Sequence, residues 1–131
     1  MEQNIITLVA EEGASLSSGS LRLYGMAALG SGIDFVGALD LYNYDPVNRR
    51  CAVGIMVATE HRRHGYALAM LHELASNHAS ALHSLYADIA ATNTASLALF
   101  RKAGYTECGH FKEWLELDSH FIDNIRMQKI L

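Results

Sequence analysis

The sequence predicts an α/β (α+β) fold in which a mixed, mostly antiparallel sheet carries flanking helices. Three observations support this fold class. Apolar runs separated by turn residues fill the first half of the chain, and two segments with a helical repeat of apolar residues follow. The chain then ends in two runs rich in aromatic and β-branched residues. This order indicates one domain built on a single sheet.

Length and charge limit the classes of function. A chain of 131 residues with 50% hydrophobic content is long enough to bury the core of one compact domain. The formal net charge is -4, and acidic and basic residues are interspersed without a basic run. A protein that binds the phosphate backbone of nucleic acid is therefore disfavoured, and we expect no nucleic acid partner.

Cysteine, histidine and apolar patterns narrow the classes further. Only two cysteines occur, Cys51 and Cys108, which does not suggest a disulfide framework. His72, His78 and His83 lack the spacing of metal ligands on one helical face, so we expect no metal. The start lacks the features of a secretory signal, and no apolar stretch approaches membrane-spanning length. We therefore expect a cytoplasmic protein without a membrane partner.

The first elements are predicted to be three strands. Residues 11–20, EEGASLSSGS, are small and polar and favour a loop, so regular structure is expected to begin near Leu21. Residues 1–20 are therefore interpreted as an N-terminal segment, either a loop or a short element, and residues 21–131 as the domain. Apolar runs at 21–29, 35–44 and 51–58 predict a three-stranded antiparallel meander, with a turn at Gly30-Ser31-Gly32.

The second half alternates helices and strands. Apolar residues recur at helical intervals from Tyr66 to Ala75 and predict an amphipathic helix over roughly residues 63–80. A short buried strand at 85–90 comes next. A second helix begins after Asn93, a good N-cap residue, and ends at Gly104. Residues 105–117 and 121–130 then predict a closing antiparallel hairpin.

A possible anion site lies where the third strand leads into the first helix. The residues there are Arg62-Arg63-His64-Gly65-Tyr66-Ala67. Backbone N–H groups at a helix N-terminus attract anions, and Gly65 and Ala67 leave room for a phosphate. Arg62, Arg63 and His64 can add positive charge. On these residues alone, a phosphate site and an ordinary solvated loop are about equally good interpretations.

A second motif favours the phosphate interpretation. Arg62, Gly65 and Ala67 fit the pattern Arg or Gln, two residues, Gly, one residue, Gly or Ala, directly after an apolar strand. Residues 93–105, NTASLALFRKAGY, fit an Asn-x-x-Ser helix that ends in Lys-x-Gly-aromatic. Through these two motifs, most of residues 21–131 resemble the GNAT superfamily of N-acetyltransferases, particularly its spermidine and ribosomal-protein acetyltransferase branch.

The resemblance implies an acyl-CoA N-acyltransferase fold that uses acetyl-CoA as co-substrate. The strand before each motif should splay from the other and admit the pantetheine arm, while the first helix N-terminus binds the pyrophosphate. Asn93 should help to hold the coenzyme, and Lys102 should reach the nucleotide phosphates. The implied coenzyme-binding residues are Ile55, Met56, Val57, Arg62, Arg63, His64, Gly65, Tyr66, Ala67, Asn93, Ser96, Phe100 and Lys102.

The resemblance also implies the reaction, in which an acceptor amine attacks the thioester directly. The acceptor would be a small polyamine-like molecule or a protein N-terminus. Two expected catalytic groups are absent, because Ala52 stands where the spermidine branch has a glutamate and Phe100 stands where many members have a tyrosine. The catalytic residues therefore stay unknown. A coenzyme A-binding module without turnover and a small α/β interaction domain are the alternatives.

Two further expectations concern the acceptor side. Relatives begin with a strand and one or two helices that form a wall of the acceptor site, and the sequence predicts that these are lacking. The resulting open pocket predicts a homodimer. The hairpin residues His110, Glu113, Glu116 and Asp118 are alternative acid–base candidates, although a solvated hairpin face explains them better.

Overall fold

The computed structural model describes residues 6–131, which form one seven-stranded sheet and two α-helices. The sheet order is β1-β2-β3-β4-β5-β7-β6; β4 and β5 pair in parallel, and all other neighbours pair antiparallel. The predicted mixed, mostly antiparallel sheet with flanking helices is thus confirmed. The elements are β1 Ile6–Val9, β2 Leu21–Leu29, β3 Gly32–Asp45, β4 Arg50–Val57, α1 Tyr66–Asn77, β5 Ser84–Ala90, α2 Thr94–Lys102, β6 Thr106–Leu117 and β7 His120–Ile130.

The predicted meander is present as β2, β3 and β4. Gly30 adopts φ 59° in the turn between the first two strands, a conformation that glycine adopts without a steric penalty. Pairing continues up to that turn, where Leu29 lies opposite Gly32. For this reason β3 begins three residues before the apolar run that predicted it.

The N-terminal part of the sheet differs from the prediction. The expectation that regular structure begins near Leu21 is wrong, because β1 pairs antiparallel with β2 from Ile6 opposite Ala27 to Val9 opposite Tyr24. Burial alternates along β1, with Ile6 and the second residue after it pointing into the core. One of the N-terminal elements that the sequence predicted to be lacking, a strand, is therefore present. Residues 1–5 of the predicted N-terminal segment lie outside the described residues.

Helix α1 covers one face of the sheet and provides the centre of the core. Met70, Leu71 and Leu74 are fully buried, and Met70 lies against Gly25 of β2, where an added Cβ would come within 2.9 Å of the methionine methyl group. The helix begins at Tyr66, later than predicted. Arg63 and Gly65 both have left-handed backbone conformations, φ 66° and 80°, which keep the preceding residues out of the helix.

Candidate functional site

An opening in the middle of the sheet organises the site. β4 and β5 pair only from Arg50 opposite Ser84 to Ala52 opposite Tyr86. Beyond this point β4 continues along β3 as far as Val57, while β5 continues along β7 as far as Ala90. The two central strands therefore diverge, as the sequence resemblance implied. Along the opening, the edge of β4 has backbone polar groups without a β5 partner, and such groups can pair with a ligand.

An open pocket of about 830 Å³ joins this opening to the N-terminus of α1. Every residue that the sequence predicted for coenzyme binding lines this pocket, except His64 and Phe100. The sequence missed five further lining residues, which flank the first motif or lie within the second. These are His61, Leu68, Ala95, Ala98 and Leu99.

The N-terminus of α1 faces the pocket without a side-chain cap. Its N-cap residue is Gly65, which has no side chain to accept a bond from the first-turn N–H groups. Those groups have no partner within the helix either, since the first intrahelical bond runs from Ala69 N to Gly65 O at 3.1 Å. An anion in the pocket would satisfy them and would also be stabilised by the helix dipole.

Hydrogen bonds fix the loop between β4 and α1. Arg62 Nε donates to the Val57 carbonyl oxygen at 3.3 Å, which closes the loop on itself. His61 Nε2 lies 3.2 Å from Asp34 Oδ2, so the loop is also tied to β3. A pre-formed loop places the positive charge of Arg62 and Arg63 beside the helix terminus without an ordering cost when a ligand binds.

Helix α2 forms the opposite wall of the pocket. Asn93 Oδ1 accepts a bond from Ser96 N at 3.2 Å, so the asparagine is the N-cap that the sequence predicted. This bond occupies the amide oxygen of Asn93 and leaves its NH2 group for other partners. Lys102, in the last turn of α2, lines the same pocket.

A smaller pocket of about 220 Å³ lies at the inner end of the opening. It shares Ile55, Asn93 and Ser96 with the large pocket, so the two are contiguous. Phe100 lines this small pocket and packs edge-on against Tyr105, with ring centroids 4.9 Å apart. The phenyl ring thus forms a wall at the inner end of the opening, where it has no proton to donate.

Asp88 also lines the small pocket, and sequence reasoning missed it. Its carboxylate accepts bonds from Arg126 Nε at 2.8 Å and Nη2 at 2.9 Å, and from Asn124 Nδ2 at 3.1 Å. The hydrogen bonds from Arg126, foremost, hold the pKa of the Asp88 carboxyl below its usual value. The available signal was a single acidic residue within the apolar strand sequence SLYADIA.

The other acid–base candidates lie elsewhere. His110 Nε2 is 2.6 Å from Asp123 Oδ2, and Asp123 Oδ1 accepts a bond from the Glu113 backbone N at 2.9 Å. These bonds brace the irregularity in β6 between Phe111 and Leu115. His110, Glu113, Glu116 and Asp118 line neither pocket. Ala52, at the base of the opening, is fully buried and has no titratable group.

Two further features are absent from the described range. Within residues 6–131, no group of three or more His, Cys, Asp or Glu side chains is arranged to hold a metal ion. No helix in the same range has the length and apolar content needed to cross a membrane.

Comparison with known proteins agrees with this architecture. The acetyltransferase (GNAT) domain family matches residues 7–106. The chain belongs to the GNAT family. The spermidine N(1)-acetyltransferase of Vibrio cholerae is 24% identical over 96 residues, which are 72% of this chain and 56% of that protein. The chain thus spans just over half the length of this curated relative.

Solved structures of Vibrio cholerae spermidine N-acetyltransferase share the GNAT fold with this chain. The complex with CoA and spermine has a TM-score of 0.76 at 21% identity, covering 87% of this chain and 67% of that one. The structure described as dodecameric has a TM-score of 0.73 at 22% identity, covering 86% of this chain and 65% of that one. At this identity the similarity establishes the fold.

Proposed function

We propose that this chain is an N-acetyltransferase that transfers acetyl from acetyl-CoA to the primary amine of a small polyamine-like molecule or a protein N-terminus. The observation that carries the proposal is one continuous pocket from the uncapped N-terminus of α1 to the opening between β4 and β5. The spermidine N-acetyltransferase of similar fold, solved with CoA and spermine, supports a polyamine-like acceptor.

Each end of the pocket suits a different part of acetyl-CoA. The first-turn N–H groups of α1, with Arg62 and Arg63, would hold the pyrophosphate. Ile55, Met56 and Val57 on the free edge of β4 would pair with the amide groups of the pantetheine arm. Lys102 would add a charge near the nucleotide phosphates. Together these contacts would place the thioester at the small pocket beside Phe100.

The reaction requires the protein to position both substrates rather than to form a covalent bond with either of them. The neutral amine attacks the carbonyl carbon, a C–N bond forms, the C–S bond breaks, and the amine proton is lost to water. Holding both substrates in this geometry supplies much of the rate enhancement. A backbone N–H near Val57 would polarise the carbonyl. The thiol of coenzyme A, with a pKa of about 8.5 typical of a free thiol, can leave as the thiolate without a protein acid.

A second candidate function is a coenzyme A-binding module without turnover. Ala52 and Phe100 favour it, because neither of these two buried positions next to the opening can exchange a proton. The two functions share the coenzyme site and differ only in product formation, so binding and turnover need separate measurements.

Isothermal titration with acetyl-CoA tests the coenzyme site. We expect micromolar binding by the wild type and a Kd raised at least about 10-fold in Gly65→Asp, because the added carboxylate repels the pyrophosphate. Gly65→Asn is the matched control, since asparagine has the same shape and the same tolerance of the left-handed backbone at φ 80°. Absence of saturable binding by the wild type, or equal losses in the two variants, would contradict the assignment.

Turnover is then measured by mass spectrometry with spermidine and with a peptide that has a free N-terminus. Detection of released thiol by a disulfide reagent is less suitable, because Cys108 is exposed and would react. Acetylated product supports the enzyme, whereas binding without product from either amine supports the inactive module.

A homodimer and a cytoplasmic location remain part of this proposal. The structure of similar fold that is described as dodecameric supports assembly into an oligomer. Exposed apolar side chains on the β6–β7 hairpin, Trp114, Leu117 and Phe121, offer a surface for association. Light scattering at micromolar concentration checks the dimer, and a purely monomeric result would contradict it.

A further inference from the structure

We propose that Asp88 binds the acceptor amine, taking a hydrogen bond from its amino group at the inner end of the opening between β4 and β5. This inference rests on the proposed acetyltransferase function and assigns the acceptor position within it. The carboxylate lines the small pocket together with Gly54 and Phe100.

The direction of the Asp88 side chain follows from its strand. Its neighbours Ala87 and Ile89 are buried in the core cluster that also contains the α1 residues. Side chains alternate along a strand, so Asp88 points to the opposite face, where its cross-strand neighbour is Arg126. A coenzyme entering beside α1 and an amine approaching Asp88 would therefore meet from opposite faces of the sheet.

Surrounding side chains hold the carboxylate in one orientation. Both guanidinium bonds from Arg126 reach it, and the guanidinium carbon lies 4.6 Å from the Tyr86 ring centroid and 5.5 Å from that of Phe111. Asn124, which donates the third bond, is only 2% exposed. A carboxylate fixed by a bidentate partner and a buried amide is pre-organised to receive a ligand.

One acceptor position on the carboxylate stays available. Oδ1 accepts from Arg126 Nε and Asn124 Nδ2, whereas Oδ2 accepts only from Arg126 Nη2. Each oxygen can accept about two hydrogen bonds, so Oδ2 has room for one more donor. The side chain of Asp88 is 32% exposed and lines the small pocket, so a ligand there can approach the carboxylate.

The chemistry of the site suits an amino group. With its pKa lowered by Arg126, Asp88 stays ionised at neutral pH and accepts hydrogen bonds from either an ammonium or an amine. A strongly ionised carboxylate is a weak base, so its role is to bind and orient the amine rather than to store its proton. The proton passes to water, as in the reaction described above.

Substitution of Asp88 tests this assignment against a closely matched carboxylate. Asp40 lies on β3, accepts a similar two-bond contact from Arg22 at 2.6 and 2.9 Å, and does not line the small pocket. We expect Asp88→Asn to lower kcat/KM for spermidine by about 10- to 100-fold, the range for one lost hydrogen bond to a charged group. The loss should lie in KM for the amine. Asp40→Asn should change kcat/KM for spermidine by less than about threefold, as expected for an exposed ion pair.

The Kd for acetyl-CoA separates this inference from the function on which it rests. It should stay within about twofold of wild type in both variants, because neither residue lines the coenzyme pocket. A peptide with a free N-terminus serves as the second acceptor. Should Asp88→Asn prove unstable, the double variant Asp88→Asn/Arg126→Gln removes both charges together and should show the same loss.

Three results would overturn the assignment. These are a wild-type kcat/KM in Asp88→Asn, an equal loss in Asp40→Asn, and acetyl-CoA binding by the wild type without acetylation of either amine. The last result would leave the coenzyme site intact. Failure of the wild type to bind acetyl-CoA would instead overturn the proposed function, and the acceptor assignment with it.

Discussion

Gly37 links the packing of the sheet to the proposed coenzyme site. It lies in β3 opposite Val57, at the end of β4 that lines the large pocket. A Cβ added at Gly37 would lie 2.2 Å from the Met56 carbonyl oxygen and 3.0 Å from the Val57 Cα. Both are backbone atoms, so no side-chain rotation can relieve the overlap. Ordinary contact begins near 3.4 Å, and the strands would therefore have to separate by about 1 Å.

We expect folded Gly37→Ala to bind acetyl-CoA more weakly than the wild type, beyond any loss of binding that unfolding of the variant explains. Overpacking of this kind costs about 1–3 kcal/mol of unfolding free energy. Displacing the end of β4 would also misalign the backbone groups that we propose pair with the pantetheine arm. Loss of two such hydrogen bonds, at about 1 kcal/mol each, raises Kd by at least about 10-fold.

Calorimetric titration of folded Gly37→Ala with acetyl-CoA measures the effect, and thermal unfolding monitors stability. Gly32→Ala is the control in the same strand, because an added Cβ there meets nothing within 4 Å. It should bind as the wild type does. If folded Gly37→Ala also binds with wild-type affinity, then the backbone at the end of β4 does not hold the coenzyme, and our account of the opening is wrong.

Two predictions concern the aromatic pair behind the small pocket. Phe100→Tyr adds a proton donor beside the proposed thioester position, so kcat for spermidine acetylation should rise by at least about 10-fold. Phe100→Leu is the control, because leucine adds no proton donor. An unchanged kcat in Phe100→Tyr would show that departure of the thiol does not limit the rate. Tyr105→Phe should raise the unfolding free energy, measured in urea, by about 1–3 kcal/mol, because the Tyr105 hydroxyl is buried without a hydrogen-bond partner among the described residues. A loss of stability would instead reveal a partner for that hydroxyl, such as an internal water.

Sequence reasoning located most elements because their signals are local. The apolar run at residues 21–29 became β2 with the predicted bounds, and Asn93 caps α2 as expected. β1 was missed because its four residues lie next to an acidic and polar stretch, and only pairing with β2 makes them a strand. The sequence also could not predict the late start of α1. This start depends on the left-handed backbone conformation of Arg63, which arginine does not favour.

The two halves of the proposed site also differed in how well the sequence predicted them. The proposed coenzyme half consists of two continuous stretches, in which a strand, a loop and a helix N-terminus follow one another. Asp88 gave no comparable signal, because its partners Asn124 and Arg126 are 36 and 38 residues away in the chain. They meet only through the pairing of β5 with β7. Sequence distance therefore separated the part of the site that could be predicted from the part that could not.

If the proposed function is correct, the sheet face that bears Asp88 determines how amines are distinguished. Within residues 6–131, the connection from β1 to β2 contains only a short 3-10 turn, Leu16–Ser18, and both α-helices follow β4. Within the described residues of one chain, contacts to a proposed acceptor on this face would come largely from side chains of the sheet itself. Two carboxylates there, Asp40 and Asp88, are each paired with an arginine. Because each arginine offsets the charge of its partner, this face has little net negative charge, and the reacting amine would be held by the free hydrogen-bond acceptor position on Asp88. Selection among amines would accordingly depend on how far the reacting amino group reaches past these pairs toward the free position on Asp88.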